Sequence, residues 1–207
     1  MRTKLRYFYG TMAAGKTAEL LIKAYQFEET GAKVLFIKPD LDNRGEYGKI
    51  NSRIVPSRDC ILIKPTDDIF LKVYQAEDEN NITYDYIFVD EVQFLDKFQI
   101  KQLWEMSHNW WAKNIFCYGL KTTYKNKLFE GIEELLILAD SVAEIKSKCT
   151  YCESKATTHL RLVNNIPVYE GNDVIIGDIY SDNKIIEKYQ SVCQKCWHKK
   201  MEEHDLI

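Results

Sequence analysis

Apolar residues fall into short clusters separated by polar stretches bearing glycine, asparagine and aspartate. Lys4–Tyr9 interleaves charged with apolar and aromatic side chains and reads as a strand. Ala18–Glu29 has helical spacing, with Leu21, Ala24 and Tyr25 on neighbouring faces. Lys33–Lys38 sets Val-Leu-Phe-Ile between lysines, a strand entered through Gly31 and ended by Pro39. Asp40–Ser57 lacks periodicity and reads as a long surface loop, a class that is often functional. Ile61–Ile63 is a short strand, and Thr66 or Asp67 caps a helix running to about Glu79. Tyr84–Val89 is the next strand. Phe98–Ala112 is helical through Ile100, Leu103, Trp104, Met106 and Trp110. Asn114–Leu120 is a buried strand, Leu128–Leu138 a helix and Ser141–Ile145 a last strand. Strands alternating with helices predict an α/β fold, a mainly parallel sheet with helices on both faces. The alternation stops near Lys146–Lys148, which divides the chain into residues 1–147 and a smaller C-terminal domain, 148–207.

The first strand and helix are joined by Gly10-Thr11-Met12-Ala13-Ala14-Gly15-Lys16-Thr17, which fills every fixed position of the phosphate-loop pattern G-x-x-x-x-G-K-[ST]. Strand, glycine loop and helix is the context that pattern requires. Gly10 and Gly15 let backbone N–H groups approach phosphate oxygens, and the helix N-terminus adds partial positive charge. Lys16 can reach the terminal phosphates of ATP, and Thr17 can offer its hydroxyl to Mg²⁺. The Tyr84–Val89 strand ends in Asp90-Glu91. An acid at such a strand end faces the nucleotide's Mg²⁺, which suits Asp90. A second carboxylate, Glu91, can take a proton from an attacking hydroxyl or water. The alternative is that the pair opens a loop or caps a helix.

Composition narrows the class. The 207 residues are 45% hydrophobic, enough for a packed core, and the net charge of −3 gives no broadly basic surface for nucleic acid. No apolar run approaches membrane-spanning length, and the first residues lack an apolar signal core, so a soluble cytoplasmic protein with no membrane partner is expected. Four of the six cysteines form two C-x-x-C pairs, Cys149/Cys152 and Cys193/Cys196. Together they can close a tetrahedral four-thiolate site suited to Zn²⁺, structural because no position stays open; free or redox-active thiols are the alternative. His159, His198 and His204 are candidate alternative ligands that four cysteines leave unneeded, expected to be exposed or, for His159, near the ligand site. Cys60 and Cys117 lie in apolar runs and read as core residues.

In this order the motifs resemble the thymidine kinases of animal cytosol and many bacteria. The resemblance rests on the phosphate loop, on Asp90-Glu-Val-Gln-Phe-Leu, on Leu120-Lys-Thr-Thr-Tyr and on Lys188-Tyr-Gln-Ser-Val-Cys-Gln-Lys-Cys196. It implies a RecA-like domain, a small zinc-binding domain whose loop closes over the nucleoside, ATP with Mg²⁺ as donor, and thymidine as substrate. It also implies a homotetramer inhibited by thymidine triphosphate (dTTP). By position, Glu91 resembles the base for the 5′-hydroxyl, Arg44 an arginine near the phosphates, and Asp90 and Gln93 residues at the nucleotide. Met12, Phe94, Leu120, Tyr124 and Phe129 resemble the thymine pocket. Val174, Ile175, Ile176 and Gly177 resemble the strand whose backbone reads the base, and Tyr189 the tyrosine that holds the nucleoside. Val92, Lys121 and Asp178 depart from the family's usual residues, and the stretch between Gly177 and Tyr189 is longer than usual. A phosphate-loop ATPase with a nucleic-acid-binding zinc ribbon is the competing reading, against which stand the short chain and its acidity. A non-catalytic, zinc-stapled nucleotide sensor is the third.

Overall fold

The computed structural model describes residues 4–42, 45–109, 111–171 and 187–205. These form two compact units: residues up to Tyr9 with Gly15–Gly119 and Phe129–Glu144, and Gly10–Ala14 with Leu120–Leu128 and Ile145 onward.

The first unit is built on a six-stranded sheet. Its strands are β1 (Leu5–Gly10), β2 (Val34–Pro39), β5 (Ile61–Ile63), β6 (Tyr86–Val89), β7 (Asn114–Gly119) and β8 (Ser141–Ile145), ordered β5-β2-β6-β7-β1-β8. The pairs β5–β2, β2–β6, β6–β7 and β7–β1 are parallel. Helices α1 (Lys16–Glu28), α2 (Ile69–Asn80), α3 (Lys97–His108) and α4 (Glu130–Leu138) connect them. Strands covered on both sides should be apolar throughout, and Ile87, Phe88, Val89, Ile115, Phe116 and Cys117 are all buried. Phe27 of α1 stacks on Tyr86 with ring centroids 4.0 Å apart, which seats that helix on the sheet.

Several boundaries differ from the sequence reading, each for a local reason. Pro39 is the last residue of β2, not its stop: its missing N–H is tolerated at a strand's end. The long loop after it contains β3 (Lys49–Ile50), paired antiparallel with β4 (Arg58–Asp59) around the fully buried Ile50. The cap of α2 is Asp68, whose carboxylate accepts the Leu71 N–H at 3.0 Å; Asp67 instead accepts the Lys64 N–H. Helix α3 stops at His108 because Asn109 is extended and Ala112 left-handed (φ 48°), turning the Lys113 N–H back to the Met106 carbonyl. Trp111 leaves the helical path and stacks on Phe70 at 5.6 Å. Cys117 is buried as expected, whereas Cys60 is half-buried. Among the described residues no helix is long and apolar enough to cross a membrane.

The second unit holds a three-stranded antiparallel sheet, β10 (Ile166–Val168), β9 (Thr158–Val163) and β11 (Glu187–Val192), followed by α5 (Gln194–Asp205). Its core gathers Cys149, Leu160, Leu162, Val192, Cys193 and Trp197. The Trp197 indole is packed edge-on to Tyr169 and donates to the Tyr124 carbonyl at 3.2 Å.

Candidate active site and metal centre

Strand β1 runs straight into the glycine loop. A side chain on Gly10 would lie 2.7 Å from the Ile145 carbonyl oxygen, so only glycine fits. Ala13 and Gly15 are left-handed (φ 58° and 87°), and the Glu19 N–H then closes the first turn of α1 on the Gly15 carbonyl at 3.0 Å. Lys16 is buried. Thr17 donates its hydroxyl to one Asp90 carboxylate oxygen at 3.0 Å, and the other oxygen accepts the Glu91 N–H at 3.0 Å. Burial pushes the Asp90 carboxyl up to about 7, and the neighbouring Glu91 charge adds to this. The Thr17 hydrogen bond and the Lys16 charge pull it back. A bound cation would favour the ionised form further, so this donor set suits a metal-nucleotide complex.

Glu91 has left-handed backbone (φ 50°), a strained state for a residue with a side chain. It precedes a single 3₁₀ turn, Val92–Phe94, yet its side chain makes no capping hydrogen bond. Instead the carboxylate accepts from the side-chain amide of Gln93, which is buried. Gly119 makes room for that amide, since a β-carbon there would lie 2.4 Å from Gln93 Oε1. Phe94 and Phe129 meet edge-on, centroids 6.1 Å apart.

The second unit brings together other predicted residues. Tyr124 is buried, donates its hydroxyl to the Glu170 carbonyl at 2.8 Å, and meets Tyr189 edge-on at 6.3 Å. Burial pushes the Tyr189 phenol up to about 12, against the pull of Arg161. Leu120 is half-buried. Arg44 and Val174–Gly177 lie outside the described residues.

Sequence reasoning missed Arg161 and Ser191, and gave His159 no role beyond a place near the ligand site. Arg161 sits opposite Tyr189 on the β9–β11 ladder, places its guanidinium 5.4 Å from the Tyr124 ring centre and pairs with Glu187 at 2.7 Å. His159, expected near the ligand site, is buried, and its Nε2 accepts the Met12 N–H at 2.9 Å. The available signal was period two, with His159 and Arg161 alternating with Leu160 and Leu162.

The sulfurs of Cys149, Cys152, Cys193 and Cys196 all lie within 4.8 Å of one another, a cluster that could hold a metal ion. Cys152 Sγ is 3.7 Å from both Cys193 Sγ and Cys196 Sγ. Backbone N–H groups of Tyr151 and Cys196 donate to Cys149 and Cys193 sulfur, each at 3.4 Å. Burial raises the Cys149 thiol, but amide hydrogen bonds outweigh it and leave the thiol low; Ser154 hydrogen bonds lower Cys152, whereas burial and the neighbouring cysteines raise Cys196. The amide and Ser154 donors favour thiolates, the form that binds metal.

A model of the thymidine kinase family matches residues 3–197. The chain is 39% identical over 192 residues to a thymidine kinase of Streptococcus pyogenes serotype M3 (strain MGAS315), covering 93% of this chain and 95% of that one. A thymidine kinase of Streptococcus agalactiae serotype Ia is 38% identical over the same shares.

Proposed function

The chain belongs to the thymidine kinase family, and we propose that it transfers the terminal phosphoryl group of ATP to the 5′-hydroxyl of thymidine, giving thymidine monophosphate. The observation that carries the chemistry is the Thr17–Asp90 hydrogen bond, which joins the phosphate loop to the acidic strand end with Glu91 directly beside it. In this reading Gly10–Thr17 cradle the phosphates and Lys16 neutralises charge on the group in transfer. Thr17 and Asp90 would hold Mg²⁺, which supplies charge neutralisation at the phosphates. Glu91, oriented by Gln93, takes the proton from the 5′-hydroxyl. Arg44 adds charge near the phosphates by the same resemblance. That resemblance assigns the thymine base to Met12, Phe94, Leu120, Tyr124 and Phe129, with Val174–Gly177 reading its polar edge and Tyr189 holding the nucleoside. A base read by buried polar groups is discriminated strongly, because a wrong one leaves them unpaired. The division at residue 147, a cytoplasmic location, feedback by dTTP and a homotetramer belong to the same proposal. Light scattering at micromolar concentration reads the assembly directly, and a monomer under active conditions would remove it.

The deciding experiment incubates the protein with Mg-ATP and each nucleoside in turn. Thymidine monophosphate is the expected product. ATP hydrolysis stimulated by DNA, with no nucleotide product, would overturn the kinase reading in favour of a nucleic-acid-coupled ATPase.

The metal is proposed to be Zn²⁺, which suits four thiolates and leaves no coordination position for chemistry. About one zinc per chain should copurify. Cys193→Ser is expected to lose it and to raise the thymidine KM by roughly tenfold, ~1.4 kcal/mol of binding. Elemental analysis of an active, folded, metal-free protein would refute this assignment.

A further inference from the structure

We propose that His159 and Ser191 are positioning residues that clip the backbone of Met12 and thereby hold the phosphate loop in its nucleotide-binding conformation. Met12 lies in the middle of the loop, and both of its backbone polar groups are held by side chains. Its N–H donates to His159 Nε2 at 2.9 Å, and its carbonyl accepts from Ser191 Oγ at 2.7 Å. His159 and Ser191 are direct partners across the β9–β11 ladder, so one rung of that sheet grips one residue of the loop. The preceding residue is held as well, the Thr11 hydroxyl being bonded to the Ser147 hydroxyl.

The loop needs such support. Ala13, immediately after the clip, is left-handed without being glycine. A residue in that region persists only where its surroundings over-determine it. Within the loop the Ala14 N–H to Thr11 carbonyl turn, 3.2 Å, helps set it. The clip fixes the peptide groups on which that turn hangs. Phosphate binding by backbone amides depends on their direction, and catalysis loses heavily when reacting groups are misplaced by an ångström.

The chemistry of the clip is specific. For Nε2 to accept, the neutral imidazole must carry its proton on Nδ1. An alanine at residue 159 leaves the Met12 N–H without that acceptor, whereas glutamine can return an amide oxygen to a similar place. A merely structural histidine would instead matter for the packing of its ring, and its loss would lower the melting temperature while leaving ligand affinity alone.

The inference rests on reading Gly10–Thr17 as a phosphate loop, and its test separates the two. Mg-ATP affinity is measured by titration calorimetry without nucleoside, on the full chain, for His159→Ala, His159→Gln, Ser191→Ala and the double alanine variant, with melting temperature and metal content on the same samples. His159→Ala and Ser191→Ala should each weaken ATP binding about tenfold. The double variant should be little worse than either, because both act through Met12. His159→Gln should recover most of the loss, with metal content unchanged throughout. Wild-type affinity in all the folded variants overturns the clip, as does equal impairment of the alanine and glutamine variants at residue 159. If His159→Ala does not fold, Ser191→Ala and His159→Gln decide the matter alone. A wild-type chain that binds no ATP overturns the phosphate-loop reading and the clip with it. One that binds ATP but makes no thymidine monophosphate overturns the substrate alone, and the clip is then judged on the measured affinities.

Discussion

Lys16→Ala is expected to leave a folded protein whose phosphoryl transfer is lowered by about 10²–10³, roughly 3 to 4 kcal/mol of barrier. The lysine is a cation almost wholly withdrawn from water, at 7% exposure, where a charge acts on its neighbours with little screening. Charge builds on the β–γ bridging oxygen as the transferred group loosens, so a lysine beside it stabilises the transition state more than bound ATP. A smaller contribution comes from Asp90. The Lys16 charge is one of the influences holding that carboxyl down against burial and Glu91, so removing it pushes the Asp90 pKa higher. Near neutral pH a larger share of Asp90 is then protonated and a poorer partner for a cation. Turnover should therefore fall more than ATP affinity. Turnover near the wild-type value in the folded variant would sink the phosphate-loop assignment.

The parts of the site that were legible in the sequence are those written in contiguous residues. Gly10–Thr17, Asp90-Glu91 and the two C-x-x-C pairs carry their chemistry in short-range spacing, and the structure brings the four cysteine sulfurs together across 47 positions of chain, from Cys149 to Cys196. The strands of the parallel sheet were legible for a related reason. Buried on both faces, each is a nearly unbroken apolar run, as in Ile87–Val89 and Ile115–Cys117. Helix ends were less so, because neighbouring residues compete for one task. Asp67 and Asp68 are both good caps, and only the turn from Lys64 decides which carboxylate faces which amide. The β9–β11 pair escaped because both faces of β9 are buried, His159 and Arg161 on one and Leu160 and Leu162 on the other, which blurs the apolar-polar alternation that marks a strand. Its grip on Met12 joins residues 147 apart, and Gly119 makes room for the Gln93 side chain; no local spacing encodes either.

Glu91→Gln is expected to cut turnover by about 10²–10⁴, roughly 3 to 5 kcal/mol, while ATP binding and stability stay close to wild type. Glu91 stands at the C-terminal end of the buried strand β6, where parallel sheets present their ligands, and directly after the acid proposed to face Mg²⁺. Its left-handed backbone and its bond from the Gln93 amide aim the carboxylate at the expense of a relaxed conformation, a cost usually found where geometry matters for function. A carboxylate so placed can accept the 5′-hydroxyl proton as the phosphoryl group arrives. Because phosphoryl transition states are largely loose, orientation of the hydroxyl supplies part of the effect. Glutamine keeps the shape and can still accept a hydrogen bond, so it removes basicity and leaves most of the orientation. It also removes the charge that helps raise the Asp90 pKa, which leaves Asp90 more fully ionised and argues against any loss of metal-ATP affinity. The rival role, a helix cap, predicts a different pattern: a stability loss of about 1 kcal/mol with catalysis intact. The side chain makes no capping hydrogen bond, so little stability should be lost. Turnover, thymidine affinity and melting temperature measured on one preparation separate the two roles. A variant that turns over at nearly the wild-type rate but melts earlier would show Glu91 to be a cap and not a base.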